Sequence, residues 1–120
     1  MNRAKAVGIM LTALLLLLIA SVAIASYSPE LSIDDQPVVD GQIMVAKATV
    51  DGPGWVAIYT DDDGDPGEVI GYAPLMTGIN ANIPVEVDEG MATDTLHAVL
   101  HDDLGFAGTF EYPGDDVPVE

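Results

Sequence analysis

Asp61, Asp63, Asp65 and Glu68 set four carboxylates around Gly64 within the stretch Asp61-Asp62-Asp63-Gly64-Asp65-Pro66-Gly67-Glu68. Calcium takes six to eight oxygen ligands, and clustered carboxylates on a glycine-containing loop are one way to supply them. The spacing departs from the EF-hand loop. With Asp61, Asp63 and Asp65 in its first three ligand positions, Pro66 falls where that loop needs glycine. The competing reading is a surface hairpin loop built of strong turn formers. Calcium is therefore the one cofactor these residues suggest, and Asp61, Asp63, Asp65 and Glu68 are its candidate ligands. The pairs Asp102-Asp103 and Asp115-Asp116 read as turn residues.

His97 and His101 stand four apart. On a helix that spacing would place two imidazoles on one face and invite zinc. Leu96, Ala98 and Leu100 alternate with them, however, which predicts a strand. There the two rings share a face about 13 Å apart, too far for one metal ion, so both are expected to be structural. Met44, Met76 and Met91 could join a histidine around Cu(I), although methionines filling a β-core explain them as well. Catalysis has little to stand on. Beyond residue 25, serine occurs only at 26, 28 and 32, which leaves a serine triad without a convincing nucleophile. Paired carboxylates carry no information among 20 acidic residues, and no glycine-rich phosphate loop opens a helix. A hydrolase is the remotest reading, and the expectation is a protein that is not an enzyme.

The elements that hold these residues divide the 120-residue chain into three stretches. Residues 1–25 carry Arg3 and Lys5, then an uncharged run from Ala6 to Ala25 ending in Ala23-Ile24-Ala25. A basic start, an apolar run and a small-x-small site form a secretory signal peptide. The 20 uncharged residues are also long enough to span a bilayer as an uncleaved transmembrane anchor helix. Both readings leave the basic end in the cytoplasm and export the remainder. The protein is then extracytoplasmic, either secreted or anchored in the plasma membrane. Residues 26–30 form a linker, and 31–120 a single domain.

Beyond residue 25 the chain holds all 20 acidic residues against Lys47 alone, a formal charge of −19. Nucleic acid and anionic membrane surfaces would both repel it. Membrane contact is accordingly expected only through residues 6–25, and the partner to be an extracytoplasmic protein or cell-surface component. The absence of cysteine removes disulfides, thiolate metal sites and lipoprotein anchoring, so stability must come from a hydrophobic core.

Strand signals recur about every ten residues. Leu31–Val39 reads as extended and, with Pro37, as an edge. Gln42–Val50 shows two apolar phases that a bulge near Ala46–Lys47 would reconcile. Trp55–Thr60 is apolar on both faces, which makes Trp55 the expected centre of the core. A loop Asp61–Gly67 precedes strands at Glu68–Ala73, Ile83–Val87, Leu96–His101 and Phe106–Tyr112. Seven short strands joined by turns predict an all-β, immunoglobulin-like antiparallel β-sandwich.

Several blocks carry a resemblance. Asp35-Gln36-Pro37 with Asp40-Gly41, and Val50-Asp51-Gly52-Pro53-Gly54-Trp55-Val56-Ala57-Ile58-Tyr59, are similar to an uncharacterised domain family. So are Pro66–Leu75, Thr95–Asp103 and Asp116-Val117-Pro118-Val119. The resemblance covers Leu31–Val119 and implies an extracytoplasmic β-domain of archaeal and bacterial surface or exported proteins. It implies no catalytic or binding residues, and this chain departs from the family's frequent tandem copies. The functional expectation is a non-catalytic surface domain with a structural or interaction role. The alternative is a calcium-dependent binding module using the Asp61–Asp65 loop.

Overall fold

A computed structural model describes residues 26–119. The signal or anchor segment lies outside the described residues. Among those described, no helix is long and apolar enough to cross a membrane. The described residues form six strands: β1 (Glu30–Ser32), β2 (Gln42–Val50), β3 (Gly54–Asp62), β4 (Asp65–Leu75), β5 (Gly78–Glu86) and β6 (Leu96–Asp102). They make two antiparallel three-stranded sheets, ordered β1-β2-β5 and β4-β3-β6.

The two sheets share one core. Val45, Ala48 and Val85 of the first are fully buried together with Val56 and Ile58 of the second. Burying a valine or isoleucine side chain stabilises by about 1.5–3 kcal/mol, and this seam takes the place of the missing disulfides. In β2 the inward residues change from Ile43 and Val45 to Ala48 and Val50, a switch of phase at Ala46–Lys47. No register shift accompanies it. Asn82, opposite Ala46 and at φ 53°, turns β5 through the same switch, because asparagine tolerates the left-handed region. The register shifts lie in the β3–β4 pair instead, on either side of Tyr59.

Along one side the sheets nearly touch. The Asp88 N–H donates to the Ile70 carbonyl at 2.9 Å. Gly71 runs so close to the Glu86 carbonyl that a Cβ there would collide with backbone. The other side, between β1 and β6, stays open as a shallow cleft lined by Leu31, Ala98, Leu100 and Val119. Pro66, Pro74 and Pro84 all fall in the edge strands β4 and β5, and neither central strand contains a proline.

Four elements differ from expectation, the first being β5, which starts at Gly78 rather than Ile83 and stops at Glu86. Leu31–Val39 is not one strand: only Glu30–Ser32 pairs, and Val39 makes an isolated bridge to Gln42. Between them the Gln36 side-chain amide replaces a strand, accepting from Met44 N–H and donating to Met44 C=O, both at 2.7 Å. The acidic loop is shorter than expected. Asp62 pairs with Asp65, so β3 and β4 are joined by Asp63-Gly64 alone, at φ 55° and 95°. Two successive positive φ values are what a tight hairpin with right-handed strand twist requires. Phe106–Tyr112 is no strand, which leaves six rather than seven. Gly105 and Gly108 both adopt positive φ there, and residues 103–119 fold back as an irregular flap over the outer face of the β4-β3-β6 sheet.

Candidate functional site

The flap covers the principal buried polar constellation of the described residues. Because β3 is apolar on both faces, Val56 and Ile58 enter the inter-sheet core while Trp55 and Tyr59 point outward. Trp55 is thus buried, yet it does not sit at the centre of the sandwich. It lies beneath the flap, edge-on to Phe110 at 5.5 Å and to Tyr72 at 5.7 Å. Tyr72 and Phe110 stack at 4.5 Å, and Tyr112 crosses His101 at 4.7 Å. Each such pair adds about 0.5–1.5 kcal/mol beyond area burial.

His101 is fully buried at the centre. Its Nδ1 lies 2.7 Å from the Asp116 carbonyl oxygen and its Nε2 2.6 Å from the Tyr59 hydroxyl. A carbonyl can only accept, so Nδ1 carries the proton, and in the neutral ring Nε2 accepts from Tyr59. Burial, then the neighbouring Tyr112 hydroxyl, hold the Tyr59 phenol well above its ordinary range. Tyr59 is therefore kept as a neutral donor. Asp116 is also fully buried. Its carboxylate accepts from Leu104 N–H at 2.7 Å and Glu111 N–H at 3.0 Å, closing the flap into a ring. Trp55 Nε1 and Asp103 Oδ1 are buried without partners, a cost of about 1–3 kcal/mol each. The histidine, the phenol and the aspartate together have the residue types of an acid–base site. Their hydrogen bonds instead run to one another and to backbone, fastening the flap to the sheet.

His97, on the same face of β6, donates from Nε2 to Asp61 Oδ1 at 2.7 Å. That bond holds the Asp61 carboxyl below the usual carboxylate range. It pins the β3–β4 hairpin to β6, so both histidines have structural partners. The four candidate calcium ligands are placed as follows. Asp61 faces His97, whereas Asp63, Asp65 and Glu68 are exposed along the hairpin. Among the described residues no three His, Cys, Asp or Glu side chains are grouped to hold a metal ion. The three methionines are not core residues: Met44, Met76 and Met91 are all exposed, on β2, the β4–β5 turn and the 3-10 turn Glu89–Met91.

The larger concavity, about 540 Å³, opens between the Ile33–Val38 segment and Thr93–Leu96. Asp34, Asp35 and Asp94 line it together with Ile33, Pro37 and Leu96. It suits a cationic group with an apolar body better than an anion, by charge alone. The sequence missed the clasp at Asp116, because an aspartate in a Gly/Pro-rich stretch looks like any turn residue. The spacing of Phe110 and Tyr112 was the available signal, since side chains two apart share a face of extended chain.

A family model described as a domain of unknown function, DUF7282, matches residues 29–120. No curated protein and no solved structure gives a match.

Proposed function

The chain belongs to the DUF7282 family of domains of unknown function, and from that premise we propose an exported or membrane-anchored, non-catalytic surface domain with a structural or interaction role. One observation carries the non-catalytic reading. His101, Tyr59 and Asp116 are consumed by closing the flap, and none of them lines either concavity. Export is supported by the sequence, in Arg3, Lys5 and the uncharged run Ala6–Ala25.

The finer fold reading is an immunoglobulin-like sandwich. Its support is strand order: β1-β2-β5 against β4-β3-β6 corresponds to A-B-E against C′-C-F of that plan. A seventh strand has its counterpart in Val117–Val119 rather than in Phe106–Tyr112. Asp102 N–H donates to Val117 C=O, and Val119 N–H to Leu100 C=O, along the free edge of β6.

Cell fractionation with N-terminal sequencing tests the export. A chain starting at Ser26 outside the cell, or an intact chain in the membrane, is the expected result. An intact chain soluble in the cytoplasm would overturn it.

A further inference from the structure

The chain enters the described domain at one pole of the sandwich. Tyr27 N–H donates to Asp51 Oδ1 in the β2–β3 turn, and the Tyr27 ring lies against Gly78 at the start of β5. The β4–β5 turn is at the same pole, since Gly54 pairs with Leu75 and Val50 with Gly78. So is the root of the flap, where Asp103 N–H donates to Pro53 C=O. Met76, 78 % exposed, and Ile79, 67 %, stand at this pole, and Phe106, 76 %, follows the flap's root at Asp103 by three residues; these are the three most exposed large apolar side chains among the described residues. Leu104, next to Asp103, is half exposed. Isolated apolar side chains on a surface need no explanation, but several gathered at one end do.

The exposed carboxylates are denser at the opposite pole. Asp40, Asp62, Asp63, Asp65, Glu89 and Asp94 all sit at the far pole, in its turns and strand ends. The pole at Tyr27 is not free of charge: Asp102, opposite Gly54, is exposed there, while Asp51 and the flap carboxylates Asp103 and Glu111 accept from the backbone N–H groups of Tyr27, Gly108 and Phe106.

We infer that this pole, through Met76, Ile79, Leu104 and Phe106, sits in the headgroup layer of a zwitterionic bilayer, with the carboxylate-rich pole pointing away. The inference rests on the reading of residues 6–25 as a retained anchor. On that reading, 20 uncharged residues match the roughly 30 Å hydrocarbon core at 1.5 Å per residue, and their end is Ala25. Only Ser26 then lies between the hydrocarbon boundary and Tyr27, two backbone steps with a reach of at most about 7 Å. The headgroup layer is itself about 5–7 Å deep on each side. Tyr27 is fixed to the pole, so the pole has no slack with which to stand clear of the lipid. Membrane contact thereby extends beyond residues 6–25. Apolar tips at this depth are what an interfacial surface requires, and the anionic far pole is kept where it costs least.

The chain has no cysteine, so single labels are clean. The full chain carrying M76C, F106C or D63C, each labelled with an environment-sensitive fluorophore, is reconstituted in phosphatidylcholine vesicles. Flotation after an alkaline wash reports anchoring, and quenching by spin-labelled lipid reports depth. The expected result is flotation of all three, with blue-shifted emission and severalfold stronger quenching at 76 and 106 than at 63. Flotation with equal, water-like emission at all three positions would overturn the seating and leave the anchor standing. Failure to float would overturn the anchor, and the seating with it.

Discussion

Removing the Asp116 carboxylate should open the flap before it unfolds the sandwich. In Asp116→Ala two hydrogen bonds to a charged acceptor vanish, those from Leu104 N–H at 2.7 Å and Glu111 N–H at 3.0 Å. Hydrogen bonds to charged groups contribute about 1.5–3 kcal/mol each, so the loss is about 3–6 kcal/mol. A domain of this size typically has about 5–15 kcal/mol in all. The loss falls on the flap first, because the inter-sheet core shares no residue with the clasp. Trp55 is the only tryptophan and lies under Phe110, which makes its emission a direct report on the flap. In urea, Asp116→Ala should show a red shift of Trp55 emission well before the loss of far-ultraviolet β signal. The parent should lose both together. A variant that melts with the parent, within about 0.5 kcal/mol, and with unchanged Trp55 emission, would refute the reasoning.

His97→Ala should destabilise at neutral pH. The Asp61 pKa is depressed in the folded state, so its contribution is present above the unfolded carboxyl value of about 3.9 and fades as pH falls through the lower folded value. Melts of parent and variant should therefore converge below about pH 4, and a gap that persists there would contradict the pairing. Gly71→Ala should cost about 1–3 kcal/mol by driving a methyl into the Glu86 carbonyl, measured by urea titration; a neutral result would mean that the sheets can separate there freely. Sodium chloride should raise the melting midpoint into the molar range, because the Debye length shrinks from about 10 Å at 0.1 M to about 3 Å at 1 M and screens the −19 self-repulsion. A midpoint flat in sodium but raised by millimolar calcium, saturating as a filled site does, would instead assign Asp61, Asp63, Asp65 and Glu68 as ligands.

What the sequence made legible follows from which groups satisfy the backbone. The strands β2, β3, β4 and β6 and the second half of β5 were readable because ladder partners and a buried face impose alternation, as in Leu96, Ala98 and Leu100. Even the phase switch at Ala46–Lys47 showed in the spacing, though a paired twist at Asn82, not a bulge, produces it. The flap was unreadable because its N–H groups go to the carboxylates of Asp103, Glu111 and Asp116, an arrangement with no period. The continuous apolar run of β3 announced two buried faces correctly. It could not say which face meets the other sheet, and so Trp55 was assigned to the wrong one. The histidine spacing pointed to one strand face for both rings, while the partners Asp61 and Asp116 lie 36 and 15 residues away from the rings they hold.

The prolines of the edge strands have a meaning for how copies of this chain meet. A sheet margin is a template on which a neighbour can polymerise, and charge is the usual deterrent. Where salt is high enough to screen −19, that deterrent weakens, and shape must replace it. Pro66 and Pro74 interrupt one margin and Pro84 another. The Gln36 amide occupies the backbone of β2 beyond the end of β1, and Val117–Val119 occupies that of β6. The margins at β4, β5 and β6, and the stretch of β2 beyond β1, are thus obstructed by covalent or local means that no electrolyte can weaken, which leaves copies of the domain little open sheet edge on which to grow into fibres.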